Sequence, residues 1–308
     1  MKKTLTEKRQ VSLDEIFETN DSLFLDSCVY YGSGFVVKSY ECRDFSSFSS
    51  RLLKSENLAL QNLIDILKNP KSLTIPGITK ELEEYLVILD QKLSFISSLS
   101  GCRERIVHRR TGAEFRKKKT FNEHAVFNKR ALEELRENLG YAVQLSSLKE
   151  FSVKNPKYEL LVDMIKIVDR AIGLKQDTNY VYGFHKVPDP HRSDIDERIV
   201  ASLYWKSLFS SERAGLLTAD CDFPRLLGVT PRILGSDVFL PFNEYFRARL
   251  VNNPFILYMR NEQGYHVSIP RDDRKFNNGF VIHKVSEKEE DKIKEQLSEI
   301  WKRFADSN

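Results

Sequence analysis

Cysteine is scarce and scattered: Cys28, Cys42, Cys102 and Cys221 are the only four in 308 residues, and none forms a C-x-x-C pair. A disulfide framework or a structural zinc site has no basis in such spacing, and four reduced thiols are expected. Long apolar runs are also missing. Nothing approaches the ~20 apolar residues a membrane helix needs, and no apolar signal region follows the lysines of Met1-Lys2-Lys3. The expectation is a soluble, cytoplasmic protein without a membrane partner. Glycine and proline are few, at 13 and 10, which excludes collagenous and low-complexity chains. Nucleotide-binding motifs are absent too. There is no Walker A sequence, and Gly32-Ser33-Gly34 meets Val37 where a dinucleotide fingerprint needs glycine.

What is present suits a folded core, with 41% hydrophobic and 30% charged residues. Ser22-Leu23-Phe24-Leu25-Asp26 reads as a short buried strand ending in an acid. Gly34 to Tyr40 reads as a hairpin or an irregular excursion. Leucine and isoleucine spacing predicts a helix from Ser50 to Leu67, stopped by Asn69-Pro70. A strand at Ser72 to Ile75 follows, then a helix from about Ile78. Further helices are expected over Lys129–Leu139, Tyr158–Ile172 and Ile195–Ser210. Ala214 to Thr218 reads as a strand leading to Asp220, and Asp237 to Leu240 as another. Phe255–Arg260 and Tyr265–Ile269 form an expected hairpin. Ser286 with Glu289 makes a capping box for a last helix.

Charge is unevenly placed. The whole chain carries +4, yet residues 101–130 hold ten Lys and Arg against three acids, a balance of +7. Charge runs are ordinarily solvated faces. Here Phe115, Phe121 and Phe127 interleave with the cations. Phosphate-tracking cations with rings for stacking suit single-stranded nucleic acid, although the same rings could bury a small local core.

Short apolar strands separated by helices argue for a parallel α/β sheet, where ligands sit beyond the carboxyl ends of strands. Asp26 and Asp220 end two expected strands, while Glu81 and Asp196 open two helices. Singly, such acids are ordinary caps and turn formers. Together at one sheet edge, four acids repel one another unless a cation neutralises them. Hard carboxylate oxygens suit Mg²⁺ or Mn²⁺, which can activate water against a phosphodiester. His185, Asp189 and His191 lie among prolines and read as solvent-facing loop residues.

Four segments then carry a resemblance. Leu23-Phe24-Leu25-Asp26-Ser27, Ile75-Pro76 followed by Glu81-Leu82, Asp196-Glu197-Arg198-Ile199-Val200-Ala201, and Leu216-Leu217-Thr218-Ala219-Asp220-Cys221-Asp222-Phe223 resemble, in order, the motifs of PIN-domain nucleases. The likeness covers residues 20–31, 72–86 and 193–240. A haloacid-dehalogenase phosphatase fits less well, because Cys28 stands where its second Asp would be. The PIN resemblance implies a PIN-like parallel sheet flanked by helices, with Asp26, Glu81, Asp196 and Asp220 as Mg²⁺ or Mn²⁺ ligands and Asp222 as a fifth acid. Thr218 is then expected to orient a carboxylate or phosphate through its hydroxyl. Glu83 and Glu84 compete with Glu81, and Asp194 competes with Asp196, although the offset to Ile-x-Ala favours Asp196.

The chain departs from the family pattern in the long stretch between Glu81 and Asp196 and in the tail. The expected layout is a PIN-like domain over 15–90 and 190–245, a basic helical insertion over 91–189, and a hairpin-plus-helix extension over 246–308. The resemblance implies an RNA-cleaving hydrolase, with Arg109, Arg110, Arg116, Lys117, Lys118 and Lys119 as nucleic-acid contacts. A homodimer is left open. Two rivals stay in play: a catalytically silent module that binds RNA or protein, and a metal-dependent phosphoesterase acting on small substrates.

Overall fold

A computed structural model describes residues 9–29, 50–99, 105–107, 114–116, 121–179, 194–210, 212–220, 223–234, 255–261, 264–268 and 287–307. In chain order, β1 (Gln10–Val11), α1 (Leu13–Thr19) and β2 (Ser22–Leu25) are followed by a 3-10 turn at Ser27–Val29. Next come α2 (Ser50–Lys68), β3 (Ser72–Leu73), α3 (Pro76–Leu99), β4 (Arg105–Val107), β5 (Glu114–Arg116), α4 (Phe121–Leu148) and α5 (Pro156–Asn179). The remainder is α6 (Ile195–Phe209), β6 (Ala214–Thr218), α7 (Phe223–Leu234), β7 (Ile256–Asn261), β8 (Gly264–Ser268) and α8 (Glu287–Asp306). Among the described residues, no helix is long and apolar enough to cross a membrane.

These elements form two compact units. One comprises Met1–Val29, Lys71–Ile78 and Lys149–Asn308; the other comprises Tyr30–Pro70 and Thr79–Leu148. The first is α/β, built on a mixed six-stranded sheet of order β1-β8-β7-β6-β2-β3. β3, β2, β6 and β7 run parallel, β8 runs opposite to them, and β1 at the edge pairs antiparallel with β8. β2 and β6 are apolar and buried along their whole length, as central parallel strands covered on both faces must be. Beside β3, the parallel bridge Thr74↔Glu150 adds residues 149–151 as the start of a further strand. The parallel segments therefore follow the spatial order third, second, first, fourth, fifth. The order reverses between β2 and β6, and that reversal opens a crevice at their carboxyl ends.

Helix α5 packs against α6, α7 and α8. α6 is apolar almost all round, with Ile199, Val200, Ala201, Leu203, Tyr204 and Leu208 buried, which marks a helix enclosed by neighbours. Truncating Leu216 or Leu217 to Ala at the sheet centre would cost about 2–5 kcal/mol. Of the apolar stripe Ile293, Leu297, Ile300, Trp301 and Phe304 that the sequence puts on α8, all but the half-buried Ile300 are buried. In the second unit, α4 packs along α2, where Asn138 donates to Asn57 at 2.8 Å. Ser146 and Thr79 share a buried hydroxyl hydrogen bond at 2.9 Å.

Several expectations need adjusting. The sheet is mixed, because the C-terminal hairpin joins it: β7 pairs with β6, and β8 turns back against β7. These strands bury Leu257, Tyr258 and Met259, so the tail completes the first unit's core. The division between units also runs elsewhere than at 90/91, 189/190 and 245/246. α5 belongs with the sheet, whereas α2 and most of α3 fall in the second unit. A two-stranded antiparallel ribbon, β4 with β5, interrupts the region expected to be helical. The strand expected at Asp237–Leu240, the excursion at Gly34–Tyr40, the loop around His185 and the Ser286 cap lie outside the described residues.

Candidate functional site

The crevice between β2 and β6 is built from the last residues of both strands. Asp26 N–H donates to Leu217 O at 3.1 Å, carrying the parallel ladder one residue past β2 and setting Asp26 level with Thr218. Thr218 Oγ1 accepts the Asp220 N–H at 2.9 Å and donates to Asp26 Oδ2 at 2.6 Å. Because the hydroxyl already accepts from an amide, its single proton is directed at the carboxylate. Thr218 is fully buried, so this bond is shielded from competing water. Ser27 Oγ adds a long 3.5 Å contact to the other oxygen, Oδ1, and Cys28 also hydrogen-bonds the carboxylate.

Asp26 is 2% exposed. Burial pushes its pKa up to about 7, and the charges of Asp196 and Asp220 push the same way. Thr218 and the Cys28 amide oppose the rise by donating to the charged form. Cys28, half-buried one turn later, has its thiol pushed up by burial and then by Asp26, Asp220 and Asp196. Three carboxylates from three separate elements thus act on one another at the strand ends.

Asp196 and its competitor Asp194 sit two residues apart and do different things. Asp194, at the N-cap of α6, pairs with Lys166 at 2.8 Å and with Arg198 at 3.0 Å. Partial burial raises its pKa, but hydrogen bonds from Lys166 and Arg198 outweigh that and hold the carboxyl low. Arg198 also grips Glu159 with both terminal nitrogens, at 3.0 and 3.1 Å. Asp194 is an anchor, and Asp196, in the first turn, is the acid whose field reaches Asp26.

The start of α6 is held close to the start of α3. A Cβ on Gly77 would lie 2.5 Å from Ile195 Cγ1, so only glycine permits that approach without displacing Ile195. Glu81 follows Gly77 one turn along α3 and lies in the second unit. Its Oε2 is buried without a hydrogen-bond partner among the described residues, whereas Glu83 and Glu84 are exposed. Of those three glutamates, Glu81 is the one with a shielded oxygen left for a ligand.

Asp222, Arg109, Arg110, Lys117, Lys118 and Lys119 lie outside the described residues. Arg116 is described as part of β5, opposite Arg105 of β4. One residue escaped the sequence reading. Arg260, on β7, donates through Nη1 to Val29 O at the end of the 3-10 turn that follows Asp26. Its only sequence signal is a cation near the carboxyl end of an otherwise apolar strand.

Among the described residues, no three His, Cys, Asp or Glu side chains are grouped closely enough to hold a metal ion as they stand. Comparison with protein-family models, with curated proteins and with solved structures finds no match to this chain.

Proposed function

We propose that this protein is a PIN-like, Mg²⁺- or Mn²⁺-dependent ribonuclease. What carries this reading is that the charges of Asp196 and Asp220 reach the buried Asp26 at the crevice where the strand order reverses. The donor chemistry fits a hard divalent cation: three carboxylates, one of them buried. Their mutual repulsion holds such groups apart, and a cation between them supplies the missing attraction. Asp26, Asp196 and Asp220 would hold the metal, with Asp222 as a further ligand. Bound there, the metal would supply an ionised water and charge neutralisation for attack on phosphorus.

The chain's own residues prepare that chemistry. Thr218 fixes Asp26 by its Oδ2 and so orients the carboxylate. The Asp194–Arg198–Glu159 network and the Gly77 contact hold the first turn of α6, and with it Asp196. The basic stretch over residues 101–130 is assigned to the RNA backbone. Replacing Arg116, Lys117, Lys118 and Lys119 with Ala should flatten the salt dependence of RNA binding, by about 0.7 in log–log slope per lost contact.

Purified protein with Mn²⁺ should cut unstructured RNA, and EDTA should stop it. Equal activity in wild type, Asp26→Asn and Asp220→Asn would point to a contaminating nuclease and overturn the reading. A silent RNA- or protein-binding module is the second reading, favoured by the open arrangement of the acids. Calorimetry with Mn²⁺ separates the two, since a silent module binds no metal and cuts nothing.

A further inference from the structure

We propose that Arg260 binds a phosphate of the RNA beside the acid cluster; the assignment rests on the nuclease reading above. The register Thr218↔Met259 puts Arg260 one residue beyond the level of Thr218 and Asp26, on the carboxyl edge of the sheet. The guanidinium is tied to the turn that follows Asp26, and the amide of the same Val29 donates to Asp26 O at 3.1 Å. β6, whose carboxyl end carries Thr218 and leads to Asp220, is the strand between β7 and β2. On the strength of that tether the cation is assigned to the mouth of the crevice.

The anchoring bond leaves the cation's charge in place. A backbone carbonyl is a dipole, and it takes one of the five N–H donors of the guanidinium. Among the described residues Arg260 makes no ion pair, whereas Arg136, Arg198, Lys166 and Lys206 each have a carboxylate. The neighbouring titratable group is Tyr265, its cross-strand partner on β8, whose phenol burial raises and Arg260 lowers. A phosphodiester approaching three carboxylates is repelled by all of them. A fixed, half-buried arginine at the same mouth offsets that repulsion, and its planar fork matches two phosphate oxygens.

A purely structural role, clamping the turn after Asp26, makes a different prediction. Binding of single-stranded RNA to the full-length protein in EDTA, over a range of salt, distinguishes them. Arg260→Gln should reduce the slope of log K against log salt by about 0.7, and Arg260→Lys should keep the wild-type slope with roughly tenfold weaker affinity. Arg260→Gln with a lowered melting temperature but an unchanged slope would show a clamp and overturn the proposal. Should Arg260→Gln fail to fold, Arg260→Lys decides alone: wild-type affinity in that variant overturns it. If RNA binds with the expected slope change and Mn²⁺ elicits no cleavage, the phosphate contact stands and the nuclease reading falls. No RNA binding by the wild type overturns both.

Discussion

Two groups of carboxylates in the first unit share a neighbourhood and differ in one respect. Around Asp194 the acids come with their cations: Lys166 and Arg198 are within 3.0 Å of it, and Arg198 continues to Glu159. Around Asp26 the charges that raise its carboxyl are those of other acids, Asp196 and Asp220. Burial and two like charges act on Asp26, and the opposing help is a threonine hydroxyl and an amide. The first group is self-neutralising: hydrogen bonds from Lys166 and Arg198 outweigh partial burial and hold the Asp194 carboxyl low. The second stores repulsion that a ligand would release. A carboxyl raised by burial and like charges marks a candidate site, whereas one lowered by ion pairs marks scaffolding.

The sharpest way to break this comparison is to neutralise one acid from each group. Asp26→Asn should lower Mn²⁺-dependent RNA cleavage at least ~100-fold, since a lost ligand removes several kcal/mol of transition-state stabilisation. Asp194→Asn should leave the rate within about threefold, because ion pairing only steadies the helix turn. Equal losses in the two variants would erase the distinction.

Stability against pH offers a second test. Folded Asp26 keeps its proton up to about pH 7, against an ordinary value of 3.8 when unfolded. Between these values the folded state binds the extra proton. Its contribution is therefore fully present below about pH 4 and is lost as pH rises through about 7. The loss amounts to about 4 kcal/mol at most. Denaturant melts of metal-free protein should show this fall, and Asp26→Asn should flatten it. At pH 8 the Asn variant should be at least as stable as wild type in EDTA. Added Mn²⁺ should raise the wild-type melting temperature and do far less for the variant.

A smaller effect is expected from the paired group. Arg198→Ala should cost about 1–2 kcal/mol independently of metal, because its partners are half-exposed and each pair is worth at most about 1 kcal/mol there. Gly77→Ala should be milder still. Displacing Ile195 costs about 1–3 kcal/mol, and better helix propensity returns about 1 kcal/mol. Its diagnostic is weakened Mn²⁺ binding with a nearly unchanged melting temperature.

Much of this arrangement was legible in the sequence, for identifiable reasons. β2 and β6 are short apolar runs ended by acids, and the β7–β8 hairpin alternates around Asn261 and Gly264. Asp26 and Asp220 could be read because strand ends announce themselves. The Thr218–Asp26 bond joins residues 192 apart in sequence, and its geometry depends on strand register, which no local pattern encodes. Asp194 and Asp196 stayed in competition because the partners that separate them, Lys166 and Glu159, sit on a different helix. The β4–β5 ribbon was hidden by charge: Arg105, Glu114 and Arg116 obscure the alternation that reveals strands elsewhere. The unit boundaries escaped because contact, rather than composition, decides them.

The way the chain threads its two units also dictates an order of events during synthesis. The second unit is complete once residue 148 has been made, and its α2–α4 packing needs nothing from later residues. The first unit cannot close its sheet until β6 and β7 arrive, because β2 pairs with β6 and has no earlier central partner except the edge strand β3. At roughly 5–20 residues per second, β2 waits on the order of ten seconds with its apolar faces incompletely covered. Such nonlocal parallel pairing is slow to form and exposed to aggregation while it is pending. Refolding should accordingly show two phases, the faster reporting helix formation in the second unit and the slower reporting the sheet. Proteolysis of stalled nascent chains ending near residue 200 should leave residues 50–70 and 79–99 protected and cut around β2.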